Sequence, residues 1–297
     1  MATRIAWLLN FDAAEELANP ARYVPTRLPA ERQRELQALF LDLVAPEDFV
    51  LEDCAPAVAP HADPWIVQAF CPTPSALTRI AALGLSAPPA PALSVLRRVS
   101  DRAFCAGLGH GLPDANFVRD MQALQAALLV PSFTGTHVIK RAFSFAGREQ
   151  RRAHGGVLDD STRGFCERSF ALEQGVQVEP WVKRLGDFSQ HGYLSRGGEL
   201  LVGEPREQHC DPMGRFLGMQ AGPVRMLPEE TRQLHEALHE AADALHRAGY
   251  FGPFGVDAFR YEGPAGTPAW NPRSEINARF TMGYPRELLL RGLRIEC

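Results

Sequence analysis

Two hydrophobic periods alternate along the chain and mark out its elements. The apolar runs RIAWLLN (4–10) and PWIVQAF (64–70) have no polar face and predict buried strands. LPAERQRELQALFLDLV (28–44) and PSALTRIAALG (74–84) instead carry apolar residues at helical spacing, with Leu36, Leu39, Phe40 and Leu43 on one face of the first. Strand, helix, strand, helix predicts a small α/β unit. It closes at LSAPPAPAL (85–93), a proline-rich joint that makes the best domain boundary in the chain.

Beyond that joint the pattern mixes. LPDANFVRDMQALQAAL (112–128) predicts a helix with Asp114 as its N-cap. HVIKRAF (137–143) predicts a strand, followed by the loop SFAGRE (144–149). GVQVEPWV (175–182) and FSQHGYL (188–194) predict strands around a turn, with GELLVGE (198–204) pairing behind them. LPEETRQLHEALHEAADALHRAG (227–249) is a long amphipathic helix that ends at Gly249. Two strands close the pattern, FGVDAFRYE (254–262) and one within NPRSEINARFTMG (271–283). In the last, a period of two puts Glu275, Asn277 and Arg279 on one face and Ile276, Ala278 and Phe280 on the other. Pairing the two strands would bring Asp257 beside Glu275 and Asn277.

Composition sets the bounds. The 297 residues suit about two domains, and 45% hydrophobic with 22% charged residues suits a real core. A net charge of −4, spread without long blocks, argues against a bulk nucleic-acid footprint. The N-terminal apolar run is interrupted by Asp12, Glu15 and Glu16; it is too short to span a membrane and lacks a secretory cleavage pattern. The cysteines at 54, 71, 105, 166, 210 and 297 show no CxxC spacing and read as reduced thiols of a cytoplasmic protein. Of 31 basic residues only Lys140 and Lys183 are lysine. A lysine that survives such a drift to arginine is a candidate for a site where a compact charge fits and a planar fork does not.

Asp257, Glu275 and Asn277 offer hard oxygen ligands, the kind magnesium takes before completing its shell with water and phosphate. Arg279, two residues on, could reach a phosphate or carboxylate with its fork. Lys140 lies on an apolar strand just before SFAGRE, where Gly147 permits close backbone approach and Ser144 can donate a hydrogen bond. The P-loop pattern GxxxxGK[ST] is absent, and GLGHGL (107–112) lacks the third glycine and preceding strand of a dinucleotide turn. A rival motif, His235-Glu236-Ala237-Leu238-His239, is a literal HExxH, the pattern of a zinc metalloprotease, with His246 further along the same helix. The downstream metzincin glycine and histidine are missing. The stripe of Leu234, Leu238, Ala241 and Leu245 leaves these histidines on its flank, as solvated residues would be.

The order of strand lysine, glycine-containing loop, VEPWV, long helix, GPFGVDAF and EINAR resembles the ATP-grasp superfamily over roughly residues 94–290. The resemblance implies an α/β N-terminal domain (1–93) followed by a two-lobed α+β ATP-grasp module, with a small lobe (94–182) and a large lobe (183–297). It implies ATP and Mg²⁺ as cofactors, and a ligase that activates a carboxylate as an acyl phosphate for attack by an amine or similar nucleophile. Lys140 would touch the α- and β-phosphates, and SFAGRE, with Ser144, Gly147 and Arg148, would cover them. Glu179, Trp181 and Val182 would form the adenine-reading hinge, and Asp187 would hold the ribose. Pro180 has no N–H, so the adenine donor falls to Trp181 or Val182. Asp257, Glu275 and Asn277 would hold magnesium; Arg279, with Lys140, would act on the transferring phosphate. Arg102 stands where many members have a second lysine. Lys183 reads as a surface residue.

The implied partners are a small-molecule or peptide carboxylate and a nucleophilic acceptor, without nucleic acid or membrane; a homodimer is left open. Arg148, Arg151, Arg152, Arg215 and Arg273 are candidates for an anionic substrate, though surface placement is the plainer reading for most of them. Cys166 and Cys210 read as structural. A nucleotide-binding relative that has lost catalysis is a third reading, set behind catalysis because all three metal ligands are retained.

Overall fold

The computed structural model describes residues 3–25, 30–40, 42–51, 65–144 and 149–296. Three sheets organise them. The first is parallel and three-stranded, in the order β2-β1-β3, from β1 (Ile5–Leu8), β2 (Phe49–Val50) and β3 (Ile66–Ala69). Every residue of β1 is buried, as a central parallel strand covered on both faces requires. Helices α1 (Ala13–Ala18), α2 (Ala30–Ala38) and α3 (Pro74–Ala82) belong to this part, and α4 (Leu93–Ser100) opens at the end of the proline-rich joint and packs on α1.

The second sheet is antiparallel, in the order β4-β7-β5-β6: β4 (Asn116–Val118), β5 (Thr136–Arg141), β6 (Gln150–His154) and β7 (Val176–Pro180). Short α5 (Arg102–Ala106) precedes it, and α6 (Met121–Leu129) and α7 (Asp160–Phe170) bury Leu124, Leu128, Phe165 and Cys166 against Ile139 and Val176. The predicted helix over 112–128 is corrected here. Asp114 sits at φ 61°, a left-handed conformation rather than an N-cap's extended one, and residues 116–118 pair with β7. The helix starts six residues later, where the Asp120 carboxylate accepts from the Ala123 N–H at 2.7 Å.

The third sheet has six strands. β11 (Phe216–Met219), β10 (Arg206–Cys210), β8 (Arg184–Leu194), β12 (Gly252–Glu262) and β13 (Pro268–Asn277) follow one another, and β9 (Leu200–Val202) pairs with β8. At its centre β8 approaches its neighbour so closely that a Cβ on Gly192 would lie 2.5 Å from the Phe254 ring. Helix α8 (Pro228–Arg247) lays Leu234, Leu238, Ala241 and Leu245 against this sheet, and Gly249 at φ 85° reverses the chain after it. Helix α9 (Arg286–Ile295) closes the fold.

The first and third sheets share one core. Ile5, Trp7 and Phe11 belong to the same buried cluster as Phe254, Ile276 and Phe280. Trp7 meets Phe280 edge to face at 5.1 Å, and the Phe280 N–H donates to the Phe70 carbonyl at 3.2 Å. Arg286 ties the two ends of the chain further, donating to the carbonyls of Thr3 and Leu43. No helix among the described residues is long and apolar enough to cross a membrane.

Candidate active site

A cavity of about 600 Å³ opens between the four-stranded and six-stranded sheets, with Phe70, just past the end of β3, at one side. Lys140 and Glu179 line it from the small sheet; Asp187, Asp257, Glu275 and Asn277 line it from the large one. Ser144, Trp181, Val182 and Arg279 also reach it, as does the exposed Lys183, which pairs with Glu262 at 2.9 Å. Gly147 and Arg148 lie outside the described residues, as do Cys54 and Cys297.

The carboxylates meet because β12 and β13 pair antiparallel with Asp257 directly opposite Glu275 and Gly255 opposite Asn277. The Asn277 side-chain amide donates to Asp257 Oδ2 at 2.8 Å, and Gln208 of β10 donates to Oδ1 at 3.1 Å. Burial, and then the facing Glu275 carboxylate, push Asp257 up to about 7 despite these bonds. Burial works the same way on Glu275, but Arg102, Arg279, Lys140 and Arg184 hold it below the usual carboxylate range. Strand β13 stops at Asn277, so the strict alternation predicted through Phe280 ends there, although Ala278 and Phe280 are still buried. Arg279 follows in a turn, its guanidinium carbon 5.1 Å from the centre of the Phe70 ring.

On the facing wall Lys140 pairs with Glu179. Burial lowers the lysine's affinity for its proton, and the Glu179 carboxylate opposes that drop. The Trp181 N–H is already given to the Thr136 carbonyl at 2.9 Å, so of the two residues expected to offer adenine a donor, Val182 remains. The Trp181 ring is covered instead by Arg152, 3.9 Å from its centre. Asp187 takes a bond from Arg184 at 2.5 Å.

Several lining residues carry no motif in the sequence. Gln208, Cys210 and Met213 come from β10 and the hairpin turn after it. That turn reaches across the cleft: Gln150 donates to the Met213 carbonyl at 3.3 Å, and Arg152 lies 2.8 Å from the Met213 sulfur. Thr281 lines the cavity with His191 behind it, Nε2 to Oγ1 at 2.8 Å, and burial pushes that imidazole down to about 3.

Other candidates lie elsewhere. Arg273 is a correction to the surface reading: it is 1% exposed and gives its fork to the carbonyls of Leu108 and Gly109 and to Glu240 at 2.7, 3.2 and 2.9 Å. Arg151 stacks on Phe165, and Arg215 faces Asp211. His235 and His239 sit on the outer flank of α8, ring nitrogens 3.1 Å apart, while Glu236 pairs with Arg232. Neither histidine lines the cavity.

The oxygen donors suit magnesium in one particular sense. Asp257 and Glu275 face each other on the half-buried cavity wall, and Arg279 only partly offsets the cost of charging Asp257 there. Yet no group of three His, Cys, Asp or Glu residues able to hold a metal occurs among the described residues. Two carboxylates and an amide are a set that magnesium accepts when phosphates and water fill the rest of its octahedron.

The three sheets and the cleft between them have the arrangement of the ATP-grasp fold. The structure of N5-carboxyaminoimidazole synthetase from Staphylococcus aureus complexed with ADP is similar to it at a TM-score of 0.52 and 13% identity, over 95% of this chain and 72% of that one. D-alanyl-alanine synthetase A from Vibrio cholerae gives 0.50 and 12%, over 99% and 93%. Carboxyaminoimidazole ribonucleotide synthase from Aspergillus clavatus complexed with ATP gives 0.50 and 13%, over 95% and 71%. No family profile and no curated protein matches the sequence.

Proposed function

We propose that the protein is an ATP- and Mg²⁺-dependent ligase that joins a carboxylate to an amine or similar nucleophile. The observation that carries this reading is the facing pair Asp257–Glu275 lying across one cavity from Lys140, with Val182 at the hinge. Solved structures of this fold that hold ADP or ATP support the choice of nucleotide. In this reading residues 1–93 form an N-terminal domain, 94–182 the small lobe and 183–297 the large lobe, working in the cytoplasm.

The Val182 N–H and the neighbouring hinge carbonyls bind the adenine edge, and Asp187 takes the ribose. Lys140 meets the phosphates as a point charge, released from Glu179 to a stronger anion. Asp257, Glu275 and the Asn277 side-chain carbonyl would hold magnesium, which would neutralise phosphate charge when bound. The substrate carboxylate attacks the γ-phosphorus and ADP leaves; the acceptor's nitrogen then attacks the carbonyl carbon of the acyl phosphate, and phosphate leaves with the proton that the nitrogen gives up. Arg279 spreads the charge on the transferring phosphoryl group, and its stacking on Phe70 aims it. No protein nucleophile is needed. Burial raises the Cys210 thiol to about 12 and Cys166 to about 11, so both stay protonated and inert.

Calorimetry with ATP, with and without magnesium, tests the site: binding should fall sharply without the metal. An ADP-release screen over acids and amines tests the reaction. ATP binding without ADP release across a broad screen would favour a nucleotide-binding protein that has lost catalysis.

A further inference from the structure

The cavity carries its own counter-ions. Arg102 and Lys140 each have a side chain only 13% exposed, and each rests on a carboxylate: Arg102 on Glu275 at 3.1 Å, Lys140 on Glu179. The first pairing occupies an oxygen that magnesium would use. Arg102 sits at the start of α5 and is held from several sides. Its Nε donates to the Arg141 carbonyl at 3.1 Å, and its Nη2 is shared between Ser144 Oγ at 2.8 Å and Glu275 Oε1. One guanidinium therefore joins the end of β5 to the metal shelf on β13.

The shelf is also incomplete. Its donors are two carboxylates and an amide whose nitrogen is turned to Asp257. A free divalent ion would have to displace Arg102 and take most of its ligands from water. A triphosphate changes both terms: it brings oxygens for the metal and offers Arg102 a new anion.

We propose that Arg102 is an internal counter-cation that closes Glu275 to free divalent metal until a nucleoside triphosphate enters, so that metal and nucleotide load together. This rests on the ATP reading above and adds to it the order of loading. Arg102 is a positioning residue here: it acts on the metal through Glu275. A lysine would keep the charge but could not span Arg141, Ser144 and Glu275 with one rigid fork.

The test is binding of Mn²⁺ alone, read by electron paramagnetic resonance on nucleotide-free protein. It compares wild type, Arg102→Gln, Arg102→Lys and the double variant Arg102→Gln/Glu275→Gln. An opposite charge this close alters a proton's affinity for a carboxylate by about 10- to 1,000-fold. Arg102→Gln should therefore tighten Mn²⁺ alone by about tenfold or more while weakening ATP in calorimetry. Arg102→Lys should fall between it and wild type, and the double variant should lose the gain. Unchanged or weaker Mn²⁺ binding in Arg102→Gln, with ATP still bound by wild type, overturns the counter-cation alone. Failure of wild type to bind ATP overturns the ATP reading as well. Should Arg102→Gln not fold, wild type decides. Mn²⁺ held about tenfold more weakly by nucleotide-free protein than by its complex with a non-hydrolysable ATP analogue supports the proposal, and equal affinity overturns it.

Discussion

Replacing Arg273 by methionine removes a guanidinium but keeps a similar stem. The buried fork bonds Leu108, Gly109 and Glu240, with a longer contact of 3.4 Å to the Ala237 carbonyl. These partners do not count equally. Ala237 lies inside α8, where its carbonyl has a helical partner. Glu240 has a side chain 53% exposed, and water replaces the arginine there. The real loss falls on the carbonyls of Leu108 and Gly109. Each left unsatisfied costs about 1–3 kcal/mol, and the exposed Gly109 falls at the low end, so the variant should lose about 2–4 kcal/mol. For a chain of this size about 2 °C of Tm follows each kcal/mol, giving a drop of about 4–8 °C. Arg273→Lys should do no better than methionine, because a single ammonium cannot serve both loop carbonyls and the helix from one buried position. Urea titration followed by circular dichroism, beside a thermal melt, measures both. A methionine variant within about 1 kcal/mol of wild type, or a lysine variant indistinguishable from it, would show that the loop carbonyls find water and that the fork is dispensable.

Lys140→Arg should weaken ATP binding by about 1–3 kcal/mol, because a wide fork replaces a compact charge in a buried pair with Glu179; calorimetry showing wild-type affinity would mean the lysine is incidental. Glu275→Gln should cut ADP release far more than it weakens ATP binding, the mark of an interaction that strengthens in the transition state. His235→Ala and His239→Ala should leave ADP release nearly intact; the opposite pattern, with dead histidine variants and an active glutamine variant, would restore the zinc reading. His191 sets a pH dependence of stability. Its folded value is about 3 against an ordinary 6.5, so between those limits the unfolded chain binds a proton that the folded one refuses. Stability is full above about 6.5 and falls by about 1.4 kcal/mol per pH unit as pH drops toward 3. His191→Gln should flatten that slope by one proton in urea titrations at stepped pH; an unchanged slope would show that the imidazole does not titrate in this range.

What could be read in advance was whatever one strand or helix displays by itself. The spacing of Glu275 and Asn277 gave their shared face, and the apolar flanks of Asp257 pointed to a partner strand; the register then set Asp257 opposite Glu275. Helix α8 was equally plain, since its stripe repeats over 20 residues. Strands β6 and β10 were not, because QRRAH and REQHC show almost no apolar alternation. Their tertiary neighbours make them strands, and through them Gln208, Cys210 and Met213 enter the site. Helix α7 offered one unused signal, the Asp159 cap that accepts from the Thr162 N–H at 2.7 Å. Asp114 misled because two aspartates precede the same apolar run, and only pairing of residues 116–118 with β7 decides between them. Arg102 could be located as a cation, but its grip on Glu275 joins residues far apart in the chain, and no local pattern records it.

The contact of Trp7 with Phe280 has a consequence for how the chain comes off the ribosome. Strand β1 is made long before the residues that cover one of its flanks. Until Phe280 and helix α9 emerge from the exit tunnel, Ile5, Trp7 and Phe70 stand without their final cover. At roughly 5–20 residues per second that interval lasts some tens of seconds. Folding of the first sheet must then await that later segment or be guarded by a chaperone, and a nascent chain stalled before Phe280 should aggregate or be degraded where a chain that has passed it does not.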